Sequence, residues 1–359
     1  MMNRRVLFVV LVLVGVFVSL RWPGHAQPIK TSAATVCDEP SCASFEERLS
    51  ALKARYRRPS EIPYPEENPY TPEKYALGRL MFFDPILSQS GATSCASCHN
   101  PGLSWADSLP LAIGDTGEAL TIRTPTLLNI AWISLLGWDG KLAGLEPMSF
   151  VPITGKMNMA LSEPLALARL AANPGYVDRF KAAFGDGAVT RERIENALAT
   201  FERSIVSSPA PFDRWMDGDD AAIGDAAKRG FDLFNGRAGC AGCHSGWSFT
   251  DGSFHDIGSA TGDDVGRGAR FPSSVKLRYA FKVPTLRDAA RRGPYMHDGS
   301  LATLADVIDL YDRGGIERPS RSPKIKPLGL TQRDKADLIA FLETLTSAPE
   351  PSLLPVLPR

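Results

Sequence analysis

The chain has 359 residues, 44% of them hydrophobic and 22% charged, with 40 basic and 40 acidic side chains. This charge balance excludes the strongly basic surface by which proteins bind nucleic acid. The length and composition are those of a globular protein with about two domains.

The amino terminus has the order of a secretory signal peptide. Arg4 and Arg5 precede fifteen apolar or small residues at 6–20, and cleavage is expected after Ala26. Fifteen residues are too few for a membrane span, which needs about 20. Residues 1–26 hold three basic and no acidic residues, which leaves 37 basic against 40 acidic ones and a formal charge of −3. We therefore expect an exported protein without a stable membrane span after cleavage; an uncleaved anchor is the alternative.

Residues 27–70 are expected to form an N-terminal lead-in. Apolar side chains recur at helical spacing from Phe45 to Tyr56 and predict one amphipathic helix, which a proline-stiffened connector follows. Thr71 then stands where an N-cap precedes a proline, which predicts a helix through Phe83.

That helix leads into the segment GATSCASCHN, whose core CASCH is a c-type haem attachment motif. Two thiols three positions apart can bind the two vinyl groups of one haem, and the adjoining histidine can ligate its iron. A second copy, CAGCH, begins 145 positions later. Zinc binding or chance is the alternative, but two copies in an exported chain favour two covalently bound haems. The predicted haem-binding residues are Cys95, Cys98, His99, Cys240, Cys243 and His244.

The two remaining cysteines, Cys37 and Cys42, lie near the expected mature terminus. In an exported protein such a pair more often forms a small disulfide than a reactive site.

Between the motifs, a long run of little periodicity at 101–132 is rich in Gly, Pro and Thr and is expected to wrap the first haem. Helices are predicted at about 162–184 and 190–206, the second capped by Thr190. Residues 207–224 are dense in Pro, Gly and Asp and are predicted to be a domain boundary.

A helix is predicted at about 225–235, so the chain repeats its order of helix, motif and long loop. Ser300 or Thr303 can cap a later helix that carries Tyr311 on its apolar face and ends at Gly314-Gly315. Thr331 and Asp334 form a capping-box-like start for a last helix to about Thr346.

The predicted fold is mostly α, with two cytochrome c-like haem domains packed together, because no β pattern of any length is present. The first haem domain is expected at 71–210 and the second at 220–347, followed by a surface tail at 348–359.

Histidine is scarce as a second axial ligand. Apart from the motif residues the chain has only His25, His255 and His297. A second strong ligand makes a haem an electron carrier, whereas an empty position admits peroxide or oxygen.

Eight segments occur in an order that resembles the bacterial dihaem cytochrome c peroxidase and MauG superfamily. They are FFDPILSQSGATSCASCH, IRTPTLLN, WDG, FDRWMDGD, KRGFDLF, GCAGCHSG, KVPTLRD and GPYMHDGSLATL. The resemblance spans about residues 70–346 and is greatest to the MauG-like branch, which includes the methanobactin-operon member MbnH.

The resemblance implies an open first haem and a tyrosine-ligated second haem. Peroxidases of this family carry a distal histidine sixteen residues past the first motif histidine, and Asp115 stands at that position here. The family places the distal ligand of the second haem fourteen residues past the histidine of PYxHDG. That position is Tyr311, as in MauG, where peroxidases have methionine.

The resemblance also assigns roles around the haems. Trp138 matches a tryptophan that lies between the two irons in the family, and Asn129 with the carbonyls of Arg292 and Pro294 matches a calcium site. Ten and twenty residues past the tryptophan the family has Gln and Glu. Here Met148 and Asn158 stand instead, so a carboxylate such as Glu146, Glu163 or Asp115, or water, would have to supply protons.

The implied function is that of a MauG-like periplasmic enzyme. It would use hydrogen peroxide to form a high-valent dihaem state that oxidises a partner protein. By analogy with copper-homeostasis operons, the oxidised residue could be a tryptophan, converted to kynurenine, in a copper-binding protein. The alternatives are a peroxidase that takes electrons from a small redox protein, and a non-enzymatic electron-transfer cytochrome.

Overall fold

The computed structural model describes residues 50–348 and 353–358. The predicted signal peptide and the pair Cys37 and Cys42 lie outside these residues. No helix within them is long and apolar enough to cross a membrane. All of the described residues belong to one compact unit.

Helices dominate the described part of the chain, as predicted. Residues 50–55 are helical. The later α-helices are α1 (Pro72–Phe83), α2 (Cys95–Cys98), α3 (Leu145–Thr154), α4 (Glu163–Ala171), α5 (Pro174–Phe184), α6 (Arg191–Arg203), α7 (Pro211–Met216), α8 (Asp225–Asn235), α9 (Leu304–Arg313) and α10 (Gln332–Glu343). Short 3-10 helices lie at Pro85–Leu87, Pro101–Leu103, Ile130–Trp132, Cys240–Gly242, Arg267–Ala269, Val275–Leu277 and Ala289–Arg291.

Two antiparallel ribbons of two residues per strand complete the secondary structure. β1 (Leu135–Leu136) pairs with β2 (Leu142–Ala143), and β3 (Phe254–His255) pairs with β4 (Phe281–Lys282). The registers are Leu135 with Ala143 and Leu136 with Leu142, then Phe254 with Lys282 and His255 with Phe281.

The predicted caps are confirmed where a side chain can satisfy a free backbone N–H. Thr71 accepts a hydrogen bond from the Lys74 N–H at 3.2 Å and begins α1. Of the two candidates for α9, Thr303 is the cap, and its capping box is completed by Asp306. Gly314 ends α9 with a φ of 80°, a conformation that glycine adopts without steric cost.

Prolines and asparagines explain where the helix predictions were wrong. The single helix predicted at 162–184 is two helices, because Asn173 caps α5 and Pro174 takes its first position. The helix α3 was missed because its sequence, LEPMSFVPIT, contains two prolines. The predicted boundary at 207–224 contains the helix α7, whose Phe212 and Trp215 are buried.

Two large hydrophobic cores come mainly from residues before 206 and after 211, although Tyr56 belongs to the second, and a small third cluster contains Ile130, Leu136, Leu145 and Ala199. The first core contains Leu77, Met81, Phe82, Phe150, Phe180, Leu198 and Phe201. The second contains Tyr56, Phe212, Trp215, Phe231, Phe234, Phe249, Phe341 and Leu345. Because α7 packs into the second core, residues 211–216 belong with it rather than to a linker. The exact bounds of the two domains stay a prediction.

Each core depends on a glycine at a close helix crossing. A β-carbon on Gly78 of α1 would lie 1.9 Å from the carbonyl oxygen of Ala197 in α6. A β-carbon on Gly230 of α8 would lie 2.0 Å from the carbonyl oxygen of Asp337 in α10. The helix that precedes each haem motif is thereby held against a later helix of the same core.

Substitution of Gly230 by alanine should force α8 and α10 apart. Overpacking of this kind costs about 1–3 kcal/mol, so the thermal unfolding midpoint of Gly230→Ala should fall by several degrees. Gly224→Ala is the matched control, because its β-carbon would meet nothing within 4 Å, and its effect should stay below about 1 kcal/mol. Equal stability of the two variants would contradict the close crossing.

Candidate haem sites and the adjoining cavity

Both attachment motifs present their histidine in the same way. In the first motif α2 holds the two cysteines, and His99 follows at its carboxyl end, with Nδ1 donating to the Trp105 carbonyl at 3.2 Å. In the second, Nδ1 of His244 donates to the Phe249 carbonyl at 3.0 Å. A carbonyl oxygen can only accept a hydrogen bond, so each Nδ1 carries the proton. The lone pair of each Nε2 is then available to bind a metal.

Burial keeps both imidazoles neutral. It lowers the pKa of His99 and of His244, against the carbonyl hydrogen bonds, which act to raise it. A neutral imidazole is the form that ligates iron.

A cavity of about 470 Å³ opens beside the first motif. It brings together residues that are far apart in sequence, including three of the predicted catalytic residues. Its wall contains Cys95, Cys98, His99, Trp138, Met148 and Asn158. The loop after the motif and the missed helix α3 thus enclose one space.

Trp138 is fixed at both its side chain and its backbone. Its indole Nε1 donates to the carbonyl of Arg123 at 3.0 Å, and its own carbonyl accepts from the N–H of Lys282 at 2.8 Å. Lys282 belongs to β4, which follows the second haem motif in sequence. The tryptophan therefore joins the wall of the first cavity to a segment of the second half.

The carboxylates predicted to supply protons are engaged elsewhere. Asp115 accepts from the backbone N–H and the hydroxyl of Ser90 at 2.8 and 2.6 Å, and these bonds lower its pKa although its slight burial acts to raise it. Ile113 and Gly114, rather than Asp115, contribute to the cavity wall. Glu163 pairs with Arg191 at 3.1 Å on the surface.

Glu146, at the start of α3, forms a bidentate ion pair with Arg203 at 2.5 and 2.9 Å. Burial acts to raise its pKa, but Arg203 and the amide of Asn68 lower it overall. Glu146 is therefore a paired anion that does not line the cavity. Other residues of α3 do, among them Leu145, Met148 and Ser149.

Four acidic residues line the cavity, Asp139, Glu202, Asp263 and Asp264, and the sequence analysis named none of them as a candidate; only Glu202 is buried. Glu202 of α6 lines the cavity, is 8% exposed, and lies 3.2 Å from the hydroxyl of Ser149. Burial raises its pKa to about 8, with the nearby anion Glu146 adding to that increase, whereas Ser149 and Arg203 act to lower it. A signal existed in the sequence, because position 202 is four residues past Leu198 and so falls on the apolar face of the helix.

Tyr311 lies on α9 and is half-buried. Its pKa is raised by burial and by the neighbouring thiols of Cys240 and Cys243, so the phenol lies close to the second motif. Its ligation of iron stays a prediction.

Comparison with known proteins gives a consistent result. The model of the di-haem cytochrome c peroxidase family matches residues 72–221, and that of cytochrome c matches 227–346. The chain is 51% identical over 331 residues, 91% of its length and 94% of the relative's, to the methylamine utilization protein MauG of Methylorubrum extorquens. It is 34% identical over 286 residues to the cytochrome c551 peroxidase of Nitrosomonas europaea, which covers 79% of this chain and 82% of the relative.

Among solved structures, a MauG-like protein associated with microbial copper homeostasis aligns with a TM-score of 0.75 and 31% identity. The alignment covers 80% of this chain and 94% of that one. The chain belongs to the dihaem cytochrome c peroxidase and MauG family. It is a peroxide-dependent haem oxidoreductase, and the family implies haem c as its cofactor.

The geometry fits a haem at the first motif. Arg123 lines the cavity and its guanidinium Nε is buried without a hydrogen-bond partner. The propionates of a haem are anions that such a group would pair with. Cys95, Cys98 and the free Nε2 of His99 would hold the macrocycle and its iron.

The side chains of two residues of the predicted calcium site have hydrogen-bond partners within the protein. The amide oxygen of Asn129 accepts from both the N–H and the hydroxyl of Ser207, at 3.0 and 3.3 Å. The side chain of Arg292 donates to the carbonyls of Thr285 and Arg287. An oxygen that already accepts two hydrogen bonds is a poor calcium ligand, so calcium binding through Asn129, Arg292 and Pro294 stays a prediction.

Haem content tests the two attachment sites directly. The purified wild-type chain should contain two covalent haems, and the double variant Cys240→Ala/Cys243→Ala should retain one. The double variant Cys37→Ala/Cys42→Ala is the control and should keep both. A pyridine haemochrome assay measures the ratio, and a wild-type value of one haem per chain would contradict the assignment.

Proposed function

We propose that this protein is a MauG-like periplasmic enzyme that uses hydrogen peroxide to oxidise a partner protein over a distance. When bound, the two haems supply the redox chemistry: one reacts with peroxide and the pair stores two oxidising equivalents. The chain's own residues decide which haem is accessible and how the two are connected.

The position of Trp138 carries this proposal. Its ring lies in the wall of the first cavity, and its backbone is hydrogen-bonded to Lys282 of the second half. An indole held between two redox centres can carry a hole from one to the other. A peroxidase that only consumes peroxide has no need to store oxidising equivalents.

An accessible first haem is supported by the placement of the histidines. Among the described residues of the cavity wall, His99 is the only histidine. The ring of His297 pairs with Asp264 at 2.9 Å and stacks on Phe281, and Nε2 of His255 bonds to the hydroxyl of Ser253. Both side chains therefore have other partners, which favours an open position for peroxide.

Tyr311 supports a second haem that retains oxidising equivalents. A tyrosine ligand favours ferric and higher oxidation states of iron, whereas methionine raises the reduction potential. The thiols of Cys240 and Cys243 are near enough to raise the pKa of Tyr311, which supports tyrosine rather than methionine as the second ligand of this haem.

The names of the relatives support a choice of partner protein. The methylamine utilization protein MauG is 51% identical to this chain, and the copper-homeostasis MauG-like protein is 31% identical. We favour a partner protein of methylamine utilization on that ground. Oxidation of a tryptophan to kynurenine in a copper-binding protein is the second candidate.

Stoichiometric peroxide added to the purified diferric protein should produce an oxidised spectrum that persists without an added electron donor. Trp138→Phe and Tyr311→Phe should each shorten its lifetime by at least about tenfold, because one removes the hole carrier and the other the ligand. Trp132→Phe is the matched control, because Trp132 packs against Trp247 with ring centroids 4.8 Å apart, and it should keep the wild-type lifetime.

Rapid return of the wild-type spectrum, with steady turnover only when a small redox protein supplies electrons, would favour the peroxidase alternative. No reaction with peroxide at all would leave the electron-transfer cytochrome as the better description.

A further inference from the structure

Cleavage of hydrogen peroxide requires a group that exchanges protons, and the predicted distal residues lack one. Met148 has only a weak acceptor sulfur, and the amide of Asn158 cannot exchange a proton near neutral pH. Asp115 and Glu146 are ionised by their partners and contribute nothing to the cavity wall.

Glu202 is the buried carboxyl group of the cavity wall. The other acids of the wall are more exposed, and two of them are paired, Asp139 with Arg270 and Asp264 with His297; the third is the exposed Asp263. Glu202 lies in the same wall as Cys95, Met148 and Asn158, and Ser149 is next to it. A glutamate on the apolar face of a buried helix is costly to keep as an unpaired anion.

The hydrogen bonds of Ser149 indicate that Glu202 is a neutral acid. The hydroxyl of Ser149 lies 2.8 Å from the carbonyl of Leu145 and 3.2 Å from the Oε2 of Glu202. One hydroxyl has a single hydrogen, and the shorter contact is to a carbonyl that can only accept. The second contact is satisfied if the protonated carboxyl of Glu202 donates to the oxygen of Ser149.

The charged groups around Glu202 allow the same state. Arg203, the cation nearest in sequence, is committed to Glu146 of α3 through two hydrogen bonds. On α1, the ammonium of Lys74 is bonded to Asn68 and the Pro69 carbonyl. Cys95 of α2 would be an uncharged thioether once haem is attached. Arg203 still favours the anion of Glu202, but burial is the larger effect and raises the pKa. The other cations of the cavity wall, Arg123, Lys141 and Lys282, form no ion pair with Glu202 in the described part of the chain.

We propose that Glu202 is the proton donor of the peroxide reaction and that Ser149 relays its proton into the cavity. This inference rests on the proposed function. As the O–O bond breaks, Glu202 gives its proton to the departing oxygen, which leaves as water, and regains the proton of the other oxygen. The two electrons for this cleavage would come from the haem pair, which thereby stores two oxidising equivalents. The remaining oxygen later becomes water with two electrons from the partner protein and two protons from solvent. Two electrons and two protons are thus consumed overall, and the carboxyl is restored.

The direct test compares the rate of reaction with stoichiometric peroxide in the holoenzyme of Glu202→Gln and wild type. Glutamine keeps the shape and the hydrogen bond but has no acidic proton, so the second-order rate constant should fall about 100-fold. The wild-type rate should decline as pH rises through about 8, where the carboxyl loses its proton, and the variant should lack that transition. Glu202→Asp, which retains an acid, should recover part of the rate.

The matched control is Glu195→Gln, on the same helix but paired with Arg191, and it should react as wild type does. An independent readout is the infrared carbonyl stretch of a protonated carboxyl in the resting holoenzyme. This band should be present in wild type, disappear above a pH of about 8, and be missing from Glu202→Gln.

A wild-type rate and pH profile in Glu202→Gln would overturn the inference, and so would a wild-type protein without the infrared band at neutral pH. Failure of this inference can be distinguished from failure of the proposed function. Loss of the persistent oxidised spectrum in wild type would refute storage for a partner protein, while the effect of Glu202 on the first peroxide step would remain measurable.

Discussion

The hydrogen bond from each motif histidine to a backbone carbonyl is the constraint on which the rest of the structure depends. It fixes the proton on Nδ1 of His99 and His244 and leaves Nε2 for iron. The carbonyls come from Trp105 and Phe249, and Phe249 is itself buried in the second core. Placement of each iron is therefore coupled to the packing of its own hydrophobic core, which the helix crossings at the two glycines stabilise.

The chemistry of the first cavity follows from how charge is distributed around α3 and α6. Arg203 gives its hydrogen bonds to Glu146, so burial is the larger effect at Glu202 and raises its pKa to about 8. The half-buried, paired Glu146 and the buried Glu202 thus take opposite protonation states near neutral pH. Such a pair is the usual arrangement by which one fold holds both a fixed anion and an exchangeable proton near neutral pH.

The sequence predicted what local spacing encodes and failed where prolines or tertiary contacts decide. The haem motifs, the caps Thr71, Thr303 and Thr331 and the mostly α fold are local or repeated signals. The helix α3 has two prolines and no apolar period, so its entry into the cavity wall could not be seen. Asp115 and Glu146 were reasonable candidates by position, but hydrogen bonds from Ser90 and Arg203, distant in sequence, determine where they point. Glu202 was overlooked for the converse reason, because it lies in an apolar stripe that was interpreted as core.

The central claim is that the two irons have different environments, one open beside His99 and one ligated by His244 and Tyr311. Electron paramagnetic resonance of the resting diferric protein measures this most directly. The account predicts one high-spin and one low-spin ferric signal of equal intensity, with only the low-spin signal altered in Tyr311→Phe. Two low-spin signals in the resting protein would contradict it, because neither haem would then be open to peroxide.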